Sequence, residues 1–117
     1  MKRTTGKWYS VEYSSFSVSS EADKYRLSVS GFSGDTGDAF AATPHPFRIA
    51  NGMQFSTPDQ DNDNKGNGNC AVGGNAGWWF NNCGRSQLNR YSNGIWNADT
   101  DEYITDVEFA RMLVKLD

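Results

Sequence analysis

Aliphatic side chains are scarce in this sequence: Leu, Ile and Val supply only 13 of its 117 residues, fewer than the 16 Phe, Tyr and Trp. Long amphipathic helices, which need a continuous apolar stripe, are therefore disfavoured. Asn, Asp, Gly and Ser, the residues that favour turns, occupy 45 positions. We expect one domain of short strands and long structured loops, with a core built largely from aromatic rings.

The sequence also lacks an excess of positive charge and any long apolar run. Lys and Arg number 11 against 14 Asp and Glu, so the formal net charge is −3 and no nucleic-acid partner is expected. No stretch is apolar enough to enter a membrane, and the polar residues 1–10 do not form a signal peptide. The single histidine, His45, stands between two prolines without an evident nucleophile, which argues against an enzyme.

Cysteine is limited to Cys70 and Cys83, which are separated by twelve residues. Neither belongs to a C-x-x-C or C-x-x-H pattern, so a zinc site is not predicted. A disulfide between them would close a loop of about 14 residues and stabilise the fold by roughly 3 kcal/mol. Two reduced, buried thiols are the alternative, and we favour the disulfide. A disulfide would place the protein outside the cytosol.

Apolar and aromatic residues recur at a spacing near two over residues 8–18 and again over residues 25–29. This alternation predicts a β-hairpin. Gly31, Gly34 and Gly37 follow it, and they predict a tight-turn region with a left-handed backbone at one or more of these glycines.

Two further segments leave alternatives open. Residues 103–116 mix spacings of two with spacings of three to four, so helix and strand are both compatible with the pattern. Trp78 and Trp79 are either core residues or a platform on which a sugar ring stacks. Paired tryptophans just before a disulfide cysteine favour the core.

Residues 56–77 carry almost no large apolar side chain, so this stretch cannot collapse into a core on its own. Asp59, Asp61 and Asp63 alternate within it, and carboxylates this close together repel one another unless a hard cation lies between them. Calcium, which binds carboxylate, carbonyl and water oxygens, is the natural candidate. The run is not an EF-hand, because it lacks the required Gly and final Glu. A solvated acidic loop is the alternative, and alternation alone does not decide between them.

The order of several short motifs resembles that of the fibrinogen C-terminal domain family. The motifs are FSTPDQDNDN, NCA at 69–71, GWWFNNC at 77–83 and LN at 88–89, preceded by YSSFSV, EADKYRLSVSGFSG, GDAF and NGMQFST. The likeness covers about residues 8–117 and is of the fibrinogen-related, ficolin or tachylectin kind. It does not include the N-terminal subdomain of the family, and the family's long loop after LN is shortened to residues 90–92.

The resemblance implies an α+β fold over residues 1–117, a truncated domain with a twisted antiparallel sheet and long loops ordered by calcium and the disulfide. It implies a secreted, extracellular module without enzymatic activity. The expected function is calcium-dependent, lectin-like binding of acetylated or anionic carbohydrate in innate defence. A module that binds a protein or peptide is the alternative, and a vestigial fragment with little binding is a third interpretation. Any homo-oligomer would form through regions outside this chain.

The resemblance also implies a calcium site made of two carboxylates and two backbone carbonyls. These belong to Asp61, Asp63, Lys65 and Asn67. Relative to some family members, this chain has one extra residue before Cys70. The carbonyls of Gly66 and Gly68 are therefore alternative donors.

A ligand pocket beside the disulfide, with a cis peptide bond before the second cysteine, is implied as well. The residues assigned to it are Asn82, Cys83, Gly84, Tyr91, Asn93 and Trp96. Acetyl-binding members carry a histidine after the second cysteine and an aromatic residue in the loop between the cysteines, which is residues 72–77 here. This chain has Gly84 at the first position and only Val72 and small residues over 73–77. We therefore expect monomeric N-acetylglucosamine to bind weakly.

Overall fold

The computed structural model describes residues 1–41, 44–90, 93–97 and 104–116. The strands in these residues are β1 (Lys2–Arg3), β2 (Val11–Val18), β3 (Leu27–Gly34), β4 (Ser86–Gln87), β5 (Gly94–Trp96) and β6 (Ile104–Phe109). The α-helix, α1, is Cys70–Gly74, and 3-10 turns form at Glu21–Asp23 and Pro46–Arg48. No helix in this described part of the chain is long and apolar enough to cross a lipid bilayer.

Strands β2 and β3 pair as the antiparallel hairpin that the alternation predicts, with Val18 opposite Leu27 at the connecting turn. The tight turn expected at Gly31 and Gly34 is not formed there, because β3 continues through both residues. Gly31 does adopt the predicted left-handed backbone, with φ of 71°. A Cβ atom on Gly31 would lie 1.7 Å from Oγ of Ser14, so the strand pair requires glycine at this position.

The second sheet has the strand order β1-β6-β5-β4, with every neighbouring pair antiparallel. The sequence left helix and strand open for the C-terminal segment, and the structure forms strand β6 there. Residues 110–116 follow the strand without helix or strand. Side chains also join β1 to β6. Nε of Arg3 donates to Oδ1 of Asp106 at 2.8 Å, and Oγ1 of Thr4 donates to Oδ2 of Asp106 at 2.7 Å. These two donors hold the pKa of the Asp106 carboxyl below its usual range.

The core is aromatic, as the composition predicts, and Phe40 lies at its centre. The centroid of its ring is 5.0 Å from that of Trp96 and 5.8 Å from that of Trp78. The same ring packs against Tyr13 and Trp79. Buried aliphatic side chains complete the core: Leu27, Val29, Ile104 and Val107. The aromatic cluster therefore joins the hairpin to the segment that leads into the second cysteine.

Candidate functional site

Cys70 and Cys83 form a disulfide, with their Cα atoms 5.5 Å apart, which confirms the predicted pairing. The bond ties the start of α1 to the chain just after the aromatic run that ends at Phe80. The peptide bond between Asn82 and Cys83 is cis, as the resemblance implies. The disulfide therefore holds together the two ends of the loop over residues 70–83.

Asp63 folds the preceding loop onto the start of α1. Its Oδ2 accepts a hydrogen bond from the backbone N–H of Cys70 at 2.8 Å, and its Oδ1 accepts one from that of Lys65 at 2.8 Å. Asn69 caps the helix, because its Oδ1 accepts hydrogen bonds from the N–H groups of Ala71 and Val72. The five-residue helix is thus held by side chains on its N-terminal side.

The three alternating carboxylates, those of Asp59, Asp61 and Asp63, do not converge on one site. Asp61 and Asp63 lie on the same turn, since the backbone N–H of Asp63 donates to Oδ1 of Asp61 at 3.2 Å. Asp59 turns away to the Thr57 hydroxyl, which lies 2.7 Å from its Oδ1 and holds the pKa of this carboxyl below its usual range. The residues that supply the implied carbonyl donors are exposed: Lys65 and Asn67. No cluster of three or more His, Cys, Asp or Glu that could hold a metal occurs in the ranges described above.

Asn81, which the sequence interpretation does not single out, joins three segments beneath this loop. Its side chain is buried, and Nδ2 donates to the carbonyl oxygens of Pro46 and Ile49 at 3.1 and 3.0 Å. Its Oδ1 accepts from Nδ2 of Asn64 at 3.0 Å. The sequence gives one sign of this role, since Asn81 directly follows a dense aromatic run. A polar side chain in such a position is buried with the aromatic residues, and a buried amide needs hydrogen-bond partners.

A pocket of about 230 Å³ lies beside the disulfide, between α1 and strands β4 and β5. Phe80 and Ile95 give it apolar surface, and Gln87 lies against Gly74, to whose carbonyl its Nε2 donates at 3.3 Å. A Cβ atom on Gly74 would lie 2.4 Å from Oε1 of Gln87, so a larger residue there would force the Gln87 side chain to move.

The charged residues on the pocket wall are Lys65 and Arg90. Among the described residues that line the pocket, none carries a carboxylate side chain. The nearby Asp63 carboxylate is turned to the backbone N–H groups of Lys65 and Cys70 and does not line the pocket, so the two cations give the pocket wall a positive charge although the chain as a whole is negative.

Only part of the predicted ligand set lies on this pocket. Cys83 and Gly84 line it, whereas Asn82 and Asn93 do not, and Tyr91 lies outside the described residues.

Trp96 faces the core instead of the pocket: it is 1% exposed, and its Nε1 donates to the carbonyl oxygen of Gly37 at 2.8 Å. The reason is the alternation of side chains along β5, which places Ile95 on the pocket and Trp96 on the opposite side.

The tryptophan pair serves the protein interior rather than a ligand platform. Trp78 is 3% exposed, and its Nε1 donates to Oγ of Ser86 at 3.2 Å. Trp79 is half-buried, and its Nε1 donates to the carbonyl oxygen of Tyr25 at 2.9 Å. Neither residue lines the pocket, so the core interpretation holds.

Two antiparallel sheets, one short α-helix and a loop closed by a disulfide characterise the fold of the described residues. The family model for the C-terminal globular domain of fibrinogen beta and gamma chains matches residues 1–110. The chain therefore belongs to the fibrinogen C-terminal domain family, whose members are non-enzymatic modules that bind proteins. This confirms the family, the α+β fold class and the non-enzymatic character expected from the resemblance, whereas the ordering of the loops by calcium stays a prediction.

Individual relatives agree with the family. The chain is 42% identical to rat fibrinogen-like protein 1 over 96 residues, which are 78% of this chain and 30% of the relative. It is 46% identical to the human fibrinogen gamma chain over 92 residues, which are 72% of this chain and 20% of the relative. The chain thus spans less than a third of the length of these relatives.

Solved structures show the same fold. The fibrinogen-like globe domain of human ANGPTL2 matches with a TM-score of 0.65 and 37% identity, over 76% of this chain and 38% of that one. The lamprey fibrin D-dimer matches with a TM-score of 0.69 and 34% identity, over 92% of this chain and 34% of that one. The lamprey structure is a complex with the peptide Gly-His-Arg-Pro-amide.

Proposed function

We propose that this chain is an extracellular recognition module that binds a protein partner by taking an acidic group of that partner into the pocket beside the disulfide. The observation that carries the proposal is the pair of cations, Lys65 and Arg90, on the pocket wall. A carboxylate in a partly enclosed site is attracted more strongly than one in bulk water. The disulfide supports an oxidising, extracellular compartment.

The size of the pocket supports a small group rather than an extended ligand. Its volume of about 230 Å³ lies below the range of roughly 300–1,000 Å³ that is typical for drug-sized molecules. One acidic side chain, or a C-terminal carboxylate, suits this space, with Phe80 and Ile95 contacting its aliphatic part. The peptide in the lamprey complex carries an arginine and no carboxylate. The positive charge on this pocket wall instead favours a negatively charged ligand.

The proposal predicts acidic peptides as ligands. When the folded protein selects binders from a random display library of short peptides, we expect enrichment of Asp, Glu or a free C-terminal carboxylate. Arg90→Gln should weaken binding of a selected peptide by roughly ten- to a hundredfold, which is the loss of one charge-assisted hydrogen bond. Fluorescence anisotropy measures the change in Kd.

The matched control is Lys115→Gln, which removes the same charge from an exposed position in the C-terminal segment. It should leave the affinity nearly unchanged. Enrichment of basic peptides, or equal affinities for the Arg90→Gln and unchanged proteins, would contradict the proposal.

We further propose that calcium orders the loop over residues 56–77. The carboxylates of Asp61 and Asp63 lie on one turn, and neighbouring carbonyls and water would complete the kind of hard oxygen set that calcium prefers. The donor chemistry therefore fits the ion, with Lys65 and Asn67 as the proposed carbonyl donors. Bound calcium would neutralise the crowded carboxylates and fix the loop that positions Lys65 at the pocket.

Calcium should accordingly raise the free energy of unfolding by about 2.7 kcal/mol at a hundredfold excess over its Kd. Asp61→Asn should greatly reduce this response, because it removes one of the two proposed carboxylates. Asp59→Asn is the control, since Asp59 bonds to Thr57 and should not be a ligand. Thermal unfolding with calcium or with a chelator gives the comparison, and an equal loss in both variants would show a nonspecific charge effect instead.

Lectin-like binding is the second candidate, because Lys65 and Arg90 also suit the carboxylate of an acidic sugar. Innate defence would be a role for a module of this kind. On a glycan array with and without calcium, we expect acidic glycans to bind before neutral acetylated ones. Monomeric N-acetylglucosamine should bind weakly, and a micromolar Kd for it in calorimetric titration would overturn this expectation.

A further inference from the structure

Asn-Gly pairs occur three times in this chain, at Asn51-Gly52, Asn67-Gly68 and Asn93-Gly94. Asparagine followed by glycine is the pair most prone to spontaneous deamidation, because glycine carries no side chain to hinder attack by its backbone nitrogen. The reaction needs a side-chain amide and a glycine N–H that are both free to move. The three pairs differ in this respect.

Asn67-Gly68 is unrestrained. Asn67 is exposed and lies in neither a helix nor a strand. Within the described residues, its side chain makes no hydrogen bond, and the N–H of Gly68 makes only the weak bond that closes the single turn over residues 65–68. A Cβ atom built on the preceding Gly66 meets nothing within 4 Å, and the group that lies over Gly68 is the flexible side chain of Lys65.

Asn51-Gly52 is held from both sides. Oδ1 of Asn51 accepts a hydrogen bond from the backbone N–H of Val29 at 2.9 Å. The N–H of Gly52 donates to the carbonyl oxygen of Leu27 at 2.8 Å. Both bonds must open before the nitrogen of Gly52 can reach the Asn51 side chain.

Asn93-Gly94 is held through its glycine. Gly94 is buried at the start of β5, where it pairs with Val107 of β6. A Cβ atom on Gly94 would lie 2.9 Å from the carbonyl oxygen of Leu88, so Gly94 is packed closely against the Leu88 backbone as well as paired in the sheet.

Lys65 adds an electrostatic contribution at the free pair. Its Nζ lies 3.5 Å from the position that a Cβ atom of Gly68 would occupy. An ammonium group on this side of Gly68 would favour the negative charge that the backbone nitrogen develops as it loses a proton. Neither feature depends on the function proposed above.

We infer that Asn67 is a self-modifying site, at which the folded protein deamidates selectively. The nitrogen of Gly68 bonds to Cγ of Asn67, the Cγ–Nδ2 bond breaks, and the proton lost by the Gly68 nitrogen leaves with the side-chain nitrogen as ammonia. Water then opens the cyclic imide at one of its two carbonyls to give aspartate or isoaspartate. The product adds a negative charge to the loop that already carries Asp61 and Asp63.

The isoaspartyl product also lengthens the backbone by one carbon at residue 67. If the loop binds calcium as proposed, this change displaces one of the proposed carbonyl donors. Deamidation would then act as a clock that lowers calcium affinity with the age of the molecule. This consequence rests on the proposed function, whereas the modification itself does not.

The test compares the three pairs within one protein. The folded protein and a reduced, urea-denatured sample are incubated in a chelator at mildly alkaline pH, and peptide mapping by mass spectrometry quantifies aspartate and isoaspartate at each position. In the denatured sample all three pairs should react at similar rates. In the folded protein Asn67 should react at least about tenfold faster than Asn51 and Asn93.

Asn67→Gln supplies the matched variant, because its longer side chain forms the cyclic imide far more slowly. It should remove the fast modification and leave the other two positions unchanged. A ratio below tenfold in the folded protein, against either Asn51 or Asn93, would overturn the inference. The chelator keeps this outcome separate from any failure of the calcium proposal.

Discussion

Replacing Phe40 with alanine is expected to lower the free energy of unfolding by about 3–5 kcal/mol. Its ring packs against four aromatic residues, which belong to both sheets and to the segment before Cys83. Removing it leaves a cavity at the point where these parts meet, and rigid rings cannot close such a cavity easily. Because folded chains of this size are stable by only about 5–15 kcal/mol, the loss is a large fraction of the total. Urea unfolding followed by tryptophan fluorescence measures it.

Phe32→Ala is the matched control. Phe32 is 37% exposed, and its ring contacts that of Tyr13 on the hairpin. The same chemical change there should lower the free energy of unfolding by no more than about 1 kcal/mol, since little buried contact is lost. Similar losses in the two variants would show that Phe40 is not the centre of the core.

Removing the disulfide is the second change with a large expected effect. Cys70→Ala combined with Cys83→Ala should lower the free energy of unfolding by roughly 3 kcal/mol, because the unfolded chain regains the freedom of a loop of about 14 residues. Affinity for the acidic peptide should fall as well, since the bond joins two parts of the pocket wall. Urea unfolding and fluorescence anisotropy on the same sample measure both quantities.

Reduction of the unchanged protein separates the bond from the packing of its sulfur atoms. The reduced protein keeps both sulfurs, and it should lose most of the stability that the double variant loses. If oxidised and reduced protein unfold at the same urea concentration, the disulfide does not stabilise the fold and the expectation is wrong.

The hairpin, the aromatic core and the disulfide could be predicted from the sequence because each depends on local pattern or simple counting. Strands β2 and β3 follow an alternation that spans neighbouring residues, and only two cysteines were available to pair. Strand β6 could not be assigned, since its mixed spacing is compatible with two structures until pairing with β1 and β5 selects one.

The pocket was only partly predictable, because it joins residues that are distant in the sequence. Cys83 and Gly84, which the resemblance assigns to the ligand site, line the pocket, but the motif at residues 93–96 does not reveal which side of β5 faces the core. Lys65 and Arg90 line the same pocket only because of the fold, so no local sequence pattern connects them. Asn81 was missed for the same reason, since its partners come from loops far along the chain.

The antiparallel pairing of β1 with β6 also decides how the molecule would respond to a pulling force. Lys2 lies opposite Phe109, so two points near the opposite ends of the described chain are neighbours in one sheet. Tension applied through the flanking residues would act across the two strands at the same end. It would separate their hydrogen bonds one after another, as a zipper opens, rather than load them all at once. The β1–β6 edge would therefore yield at low force, before the disulfide-closed loop and the pocket are disturbed.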